Sequence, residues 1–135
     1  MITAIDTSVL IDVFGADPTF GEASKDAIRS CAEAGALVAC AAVWAEVTSA
    51  FPSADAARAG MGRLEVAFSP TSHDAALLAG TCWRKYREAG GPKKRVAADF
   101  LIGAHAVEQA DRLLTRDTGF YRAYFKRLSI VDPTK

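Results

Sequence analysis

The sequence predicts an α/β fold, organised as a three-layer α/β/α sandwich around a central, mostly parallel sheet. Short apolar runs alternate with longer stretches that repeat apolar residues at helical spacing, which is the pattern of a parallel sheet covered by helices. The length of 135 residues, half of them hydrophobic, suits one globular domain with a real core. We therefore expect a single domain over residues 1–135.

The predicted strands are short, apolar runs of the kind found buried inside a sheet. They lie at residues 2–5, 36–40, 112–116 and 127–131, with a further short extended piece at 66–70. In open parallel sheets, ligands bind beyond the carboxyl ends of the strands. Residues that directly follow a strand are therefore the first candidates for a functional site.

The predicted helices carry their own start and stop signals. They lie at residues 7–14, 20–34, 41–51, 53–67, 73–89, 96–110 and 120–125. Asp6 or Thr7 can cap the first of these helices. Gly35 stops the second helix and Pro52 ends the third, because neither residue continues a helix well. The segment GGPKKR is a loop of glycine, proline and cations.

Charge and cysteine usage exclude several classes of function. The net charge is zero at pH 7, so any attraction to nucleic acid must come from a local patch. The longest apolar stretch is interrupted by Glu46 and is shorter than the roughly 20 residues that cross a bilayer, so no membrane partner is expected. Cys31, Cys40 and Cys82 are too scattered for a metal or redox motif, and their odd number favours a reducing compartment. We expect a cytoplasmic protein.

Two acidic residues follow predicted strands. Asp6 ends the first strand and Asp117 closely follows the strand at 112–116, so both are expected at the carboxyl edge of the sheet. Each also has an ordinary explanation, because Asp6 can cap the first helix and Asp117 can cap the last one. Taken alone, neither residue distinguishes a functional site from an ordinary helix cap.

Two further acids occupy helix faces that should pack on the sheet. Asp99 lies too far into its predicted helix to cap it, and a buried, unpaired carboxylate is costly. Its face consists of Val96, Gly103, Ala106, Val107 and Ala110. Glu46 shares a face with Val43 and Val47, although a glutamate at a helix edge explains it equally well.

Together, Asp6, Glu46, Asp99 and Asp117 could converge at one end of a parallel sheet. Closely packed carboxylates raise one another's pKa and do not all ionise without a cation. Because no His or Cys joins them, the cluster suits Mg²⁺ or Mn²⁺ rather than Zn²⁺. One or two such ions, roughly 3.5–4 Å apart when paired, suit attack of water on a phosphodiester.

Four segments carry a resemblance to a known family. IDTSVL, AAVWAEV, AADFLIGAHA and LLTRDTGFYRAYF, in this order, resemble PIN-domain ribonucleases, and more narrowly the VapC-type toxins of bacterial VapBC toxin–antitoxin pairs. The resemblance covers essentially the whole chain, and its most specific part is TRD followed by an aromatic-rich segment. It implies a PIN-like fold and an Mg²⁺- or Mn²⁺-dependent endoribonuclease. It also implies a homodimer held inactive by a cognate VapB-type antitoxin.

The resemblance also assigns roles to individual residues. It places the acidic quartet of the family on the four acids already singled out, as catalytic residues and metal ligands. Ser8 stands where many members carry Asn, and its hydroxyl is expected to support the site. Thr115, two residues before Asp117, matches a hydroxyl that often lies near the metals.

RNA binding is predicted from a local cluster of cations. Residues 84–95 hold six cations and one anion, a net charge of +5, directly before the Asp99 helix. Lys93, Lys94 and Arg95 could therefore hold RNA phosphates beside the metals, and Arg116 could do so next to Asp117. The alternative is an ordinary solvated loop.

Two other functions compete with a nuclease. A phosphotransferase of the haloacid-dehalogenase type also begins with an Asp after its first strand, but it requires a second acid where Ser8 stands. A catalytically inactive PIN-like module that binds RNA or protein is the non-enzymatic alternative. Such modules tend to lose acids, whereas all four candidates are present here.

Overall fold

The computed structural model describes residues 1–91 and 97–135 and confirms the α/β prediction. Its strands are β1 (Ile2–Ile5), β2 (Ala36–Ala39), β3 (Val66–Phe68), β4 (Arg112–Leu114) and β5 (Ile130–Val131). Its helices are α1 (Thr7–Phe14), α2 (Gly21–Ala34), α3 (Ala41–Ser49), α4 (Ala54–Arg63), α5 (His73–Glu88), α6 (Ala97–Gln109) and α7 (Thr118–Tyr124). Among the residues described, no helix combines the length and the hydrophobicity needed to cross a bilayer.

The sheet brings the ends of its strands to one edge. Its order is β3-β2-β1-β4-β5, and every one of these neighbouring pairs is parallel. β1 lies at the centre, where Ile5 pairs with Leu114 of β4. The amide of Asp6 continues this ladder by donating to the carbonyl of Leu114 at 3.0 Å. The residues that follow β1 and β4 are consequently neighbours.

The helix predicted at 53–67 is wrong in its last part. Helix α4 ends at Arg63, and β3 begins at Val66. Gly60 and Gly62 weaken the end of the helix, because glycine loses the most backbone freedom when a helix forms. Glu65 then takes a left-handed conformation with a φ of 57° and turns the chain into the strand.

Helix α6 packs closely through a glycine. A Cβ atom added at Gly103 would overlap the ring of Phe125, which is itself buried. The small residues predicted for this helix face therefore reflect close packing as well as any role near the site.

We expect Gly103→Ala to lower the free energy of unfolding by about 1–2 kcal/mol, because the overpacking cost exceeds the gain in helix propensity. Gly80→Ala is the matched control, since nothing lies within 4 Å of a Cβ at this helical position. It should raise stability by about 0.5–1 kcal/mol. Urea denaturation of both variants measures the difference, and equal effects at the two glycines would contradict the packing argument.

Candidate metal centre

Asp6 is held at the carboxyl end of β1 by hydrogen bonds to both of its carboxylate oxygens. Oδ1 accepts from the backbone amide of Thr7 at 2.8 Å, and Oδ2 accepts from the hydroxyl of Thr115 at 2.7 Å. Asp6 is only 6% exposed. It stands at the N-cap position of α1, so the capping interpretation is correct in geometry. The cap does not account for the burial or for the bond to Thr115.

Burial gives the Asp6 carboxyl unusual electrostatics. Desolvation raises its pKa from 3.8 to about 6, against the lowering effects of the hydrogen bonds from Thr115 and Thr7. The negative charges of Asp99 and Asp117 contribute to this raised pKa, with smaller effects than desolvation. Asp99 and Asp117 therefore both lie close enough to Asp6 for their charges to act on its carboxyl, which is the arrangement that a bound cation relieves.

Asp117 is tied to the same hydroxyl as Asp6. Its backbone amide donates to Oγ1 of Thr115 at 3.0 Å, so Thr115 links the two acids. Asp117 stands at the N-cap position of α7, but its side chain makes no capping hydrogen bond to that helix. The capping explanation offered by the sequence therefore does not account for this carboxylate.

Asp99 lies on helix α6, which was predicted at residues 96–110. The described part of α6 begins at Ala97, so Asp99 is in its first turn, half-buried. A carboxylate is favourable there because it faces the positive end of the helix dipole. The effect of its charge on the pKa of Asp6 connects Asp99 to the site.

Glu46 reaches the site through Thr7. It is exposed on α3, and its Oε1 accepts a hydrogen bond of 2.6 Å from the Thr7 hydroxyl. The Thr7 amide binds Asp6, so one residue connects both acids. From the sequence, Thr7 is predicted only as a possible cap of α1. The feature that could have indicated this second role is a hydroxyl directly after an acid at the end of a strand.

The donors at this edge fit a hard cation. They are carboxylate and hydroxyl oxygens, which suit Mg²⁺ or Mn²⁺. The hydroxyl of Ser8 is buried without a hydrogen-bond partner among the described residues, as expected of a group that completes its bonding with a bound ion's water. Within 1–91 and 97–135, no three His, Cys, Asp or Glu side chains are already gathered in metal-binding geometry.

Asp12 is a buried acid that the sequence analysis missed. Its carboxylate is 3% exposed and accepts from both Nε and Nη2 of Arg116, at 2.7 and 3.0 Å. Arg116 was predicted to contact RNA, and the structure shows these two donors committed to Asp12. The available signal was an Asp inside the apolar helix TSVLIDVF, the same reasoning that was applied to Asp99.

The predicted RNA-binding residues Lys93, Lys94 and Arg95 lie outside the described residues. The preceding part of the cationic cluster is at the end of α5. There Arg84 lies 3.7 Å from Glu88, and Arg87 lies over the ring of Trp83 at 5.4 Å. The cluster as a whole remains a prediction.

Solved structures of VapBC complexes and of a VapC toxin share the fold of this chain. VapBC2 from Rickettsia felis, bound to a promoter DNA fragment, matches with a TM-score of 0.75 at 17% identity, covering 98% of each chain. VapBC-1 from nontypeable Haemophilus influenzae has a TM-score of 0.75 at 19% identity and covers 100% of each chain. VapC20 of Mycobacterium tuberculosis, a sarcin–ricin loop cleaving toxin, has a TM-score of 0.66 at 18% identity and covers 94% of this chain and 98% of its own.

Sequence comparison identifies the family. No curated protein sequence matches the chain. The family model for the PIN domain matches residues 3–126, which span β1 to just beyond α7. All four proposed acids lie within the matched residues. The resemblance to PIN domains seen in the sequence is therefore confirmed, and the chain belongs to the PIN domain family.

Proposed function

We propose that this chain is an Mg²⁺- or Mn²⁺-dependent endoribonuclease and the VapC-type toxin of a type II toxin–antitoxin pair. The observation that carries the proposal is the buried Asp6 carboxyl, whose pKa is raised to about 6 beside Asp99 and Asp117. Such a cluster is costly unless a cation binds to it. Membership of the PIN domain family supports nuclease chemistry as the use of that cation.

In the proposed mechanism, Asp6 and Asp99 are the principal metal ligands, and Glu46 and Asp117 complete the site directly or through water. When bound, the ion would act as a Lewis acid and activate water for attack on a phosphodiester. Thr115 fixes the Oδ2 atom of Asp6. Two fixed oxygens leave the Asp6 carboxylate little freedom to rotate, so it is already oriented before the ion arrives.

The carboxylates also orient their surroundings. Glu46 accepts a hydrogen bond from the Thr7 hydroxyl, and this bond holds the start of α1 against α3. The hydroxyl of Ser8, buried without a hydrogen-bond partner among the described residues, would bind a water at the metal. These groups would set the position of the attacking water, while the RNA phosphates are held by cations outside the carboxylate cluster.

The proposed partners are a cognate VapB-type antitoxin and a second copy of the chain. The antitoxin is supported by the shared fold with the VapBC structures. An apolar partner surface is supported by Phe68 and Leu77, which are 55% and 58% exposed. RNA as the substrate is supported by the similarity to VapC20, which cleaves the sarcin–ricin loop.

The sequence disfavours the phosphotransferase alternative. The second acid that such enzymes use is replaced by Ser8. The inactive binding module is distinguished by experiment.

The decisive test is metal-dependent cleavage of RNA by the purified protein. We expect cleavage in Mg²⁺, loss of cleavage with EDTA, and recovery when Mg²⁺ is restored. Asp99→Asn should reduce the rate at least 100-fold, as expected when a ligand of the catalytic ion loses its charge. Asp55→Asn makes the same change on a side chain that is 92% exposed on α4, and it should cleave normally. A wild-type protein that binds RNA without cutting it, with or without metal, would establish the inactive module.

A second prediction concerns the cationic cluster. Replacing Lys93, Lys94 and Arg95 together by Gln should weaken RNA binding and reduce the slope of log affinity against log salt by about 2, because about 0.7 counterions are released per phosphate contact with single-stranded RNA. Fluorescence anisotropy at several salt concentrations measures the slope. The control replaces three exposed cations elsewhere by Gln: Lys25, Arg29 and Arg58. An unchanged slope in the first variant would identify the segment as an ordinary solvated loop.

A further inference from the structure

A buried ion pair joins helix α1 to the loop after β4. Asp12 lies in the apolar helix α1, and its carboxylate receives two hydrogen bonds from the guanidinium of Arg116. A third bond of 2.8 Å comes from the hydroxyl of Ser24 on α2. The Asp12 side chain is 4% exposed and that of Arg116 is 28% exposed. The Asp12 carboxylate therefore joins three segments of the chain: α1, α2 and the loop after β4.

The face of the Arg116 guanidinium is also occupied. It lies over the ring of Phe20 with 4.1 Å between the guanidinium carbon and the ring centroid. Phe20 is fixed in turn by Asp17, whose Oδ1 accepts from the Phe20 amide at 2.8 Å. A planar guanidinium that is bound at one edge by a carboxylate and at one face by an aromatic ring has a single orientation.

The position of Arg116 in the chain connects this pair to the proposed metal centre. Its predecessor Thr115 donates to Asp6, and its successor Asp117 donates its amide back to Thr115. Any rotation of the backbone at Arg116 would move both neighbours. The three-residue segment 115–117 is thus anchored by Asp12 from outside the site.

Stability does not by itself explain such a pair. A buried ion pair usually contributes no more to stability than apolar side chains of similar volume would, because its desolvation cost offsets the attraction. What the pair supplies and an apolar contact does not is a fixed direction for the Arg116 backbone. The segment that receives this direction carries two of the groups proposed for the site.

We propose that Asp12 is a positioning residue, which acts through Arg116 to hold Thr115 and Asp117 in register with Asp6 for divalent-metal binding. This inference rests on the proposed function, because the divalent metal ion is part of that proposal. Asp12 touches neither the ion nor the substrate, and its effect is exerted through the 115–117 segment.

The test is a double-mutant cycle on Mn²⁺ affinity, measured by electron paramagnetic resonance of free Mn²⁺. We expect Asp12→Asn and Arg116→Gln each to weaken Mn²⁺ binding roughly 10-fold, the usual effect of removing a group that orients a metal ligand. The double variant should be no weaker than either single variant, because the two residues act as one unit. Met61→Ala is the control, since it opens the buried core at α4, which carries none of the site residues. It should lower the melting temperature without changing Mn²⁺ affinity.

The cycle overturns the proposal if Asp12→Asn binds Mn²⁺ like the wild type, if the two losses add, or if Met61→Ala weakens binding as much. Hydrogen exchange of the Asp117 amide provides a readout that needs neither metal nor RNA. Asp12→Asn should accelerate this exchange, whereas an unchanged rate would show that Asp12 does not hold the segment. Failure of the nuclease proposal is distinguishable, because it appears in the wild type as a lack of Mn²⁺ binding and of RNA cleavage.

Discussion

Replacing Asp6 by Asn is expected to abolish RNA cleavage and, at the same time, to stabilise the metal-free protein at pH 7.5. The loss of cleavage follows from the proposed role of Asp6 as a principal metal ligand, and we expect it to exceed about 100-fold. The gain in stability follows from the cost of ionising a buried carboxyl. Opposite effects on activity and stability are typical of a residue kept for function.

The sign of the stability effect comes from the pKa of Asp6. Its value in the folded protein is about 6 and its ordinary value is 3.8, so the folded state holds the proton more tightly than the unfolded state. The stability that this carboxyl contributes is complete below pH 3.8 and is lost as the pH rises through 6. A shift of about 2 pKa units corresponds to roughly 3 kcal/mol at neutral pH.

Asn avoids this loss because it does not ionise. Its amide replaces one accepting oxygen by a donor, which disturbs the bonds from Thr7 or Thr115 and offsets part of the gain. We therefore expect Asp6→Asn to raise the free energy of unfolding by about 1–3 kcal/mol at pH 7.5, and by less at pH 5.

Urea denaturation in EDTA at both pH values measures the effect, with Asp55→Asn as the exposed control. The control loses only an exposed ion pair with Arg58 and a charge in the first turn of α4, so its stability should fall slightly and should not rise at pH 7.5. If Asp6→Asn is instead less stable than the wild type at pH 7.5, the hydrogen bonds of the Asp6 carboxylate contribute more free energy than its desolvation costs. Cleavage at the wild-type rate would remove Asp6 from the metal centre.

The features that could be predicted from the sequence are those encoded in local periodicity. Apolar runs of strand length, separated by helical patterns, indicated the parallel sheet, and the sheet in turn placed Asp6 and Asp117 at one edge. These predictions depend on the order of elements along the chain, not on side-chain directions. The same reasoning failed at 53–67, where a helical pattern continued past Gly60 and Gly62 and concealed the turn at Glu65.

The features that could not be predicted depend on tertiary contacts between distant residues. Arg116 follows a strand beside Asp117, and nothing local indicates that its guanidinium turns inward to Asp12. Thr7 resembles any residue in the first turn of a helix until α3 brings Glu46 within 2.6 Å of its hydroxyl. Pairing of side chains more than 30 residues apart is set by packing, which a single sequence does not display.

The affinity for Mg²⁺ is expected to fall about 10-fold between pH 7.5 and pH 5. A metal ligand must be deprotonated, so the ion competes with the proton on Asp6. With a pKa of about 6, the carboxyl is almost fully ionised at pH 7.5 and about one-tenth ionised at pH 5. An aspartate with the ordinary value of 3.8 would remain more than about nine-tenths ionised at pH 5, and its metal affinity would hardly change.

Isothermal titration calorimetry at pH 5, 6 and 7.5 measures this dependence. Repeating each titration in buffers with different ionisation enthalpies should show nearly one proton released per ion at pH 5 and none at pH 7.5. Asp6→Asn serves as the control, because its weaker binding should vary little over this range. A wild-type affinity that is equal at pH 5 and 7.5 would mean that the buried carboxyl of Asp6 does not bind the ion. The metal would then have to be held by Asp99, Asp117 and Glu46. The hydrogen bonds of Asp6 would serve only to cap helix α1 through Thr7 and to join that helix to the segment after β4 through Thr115.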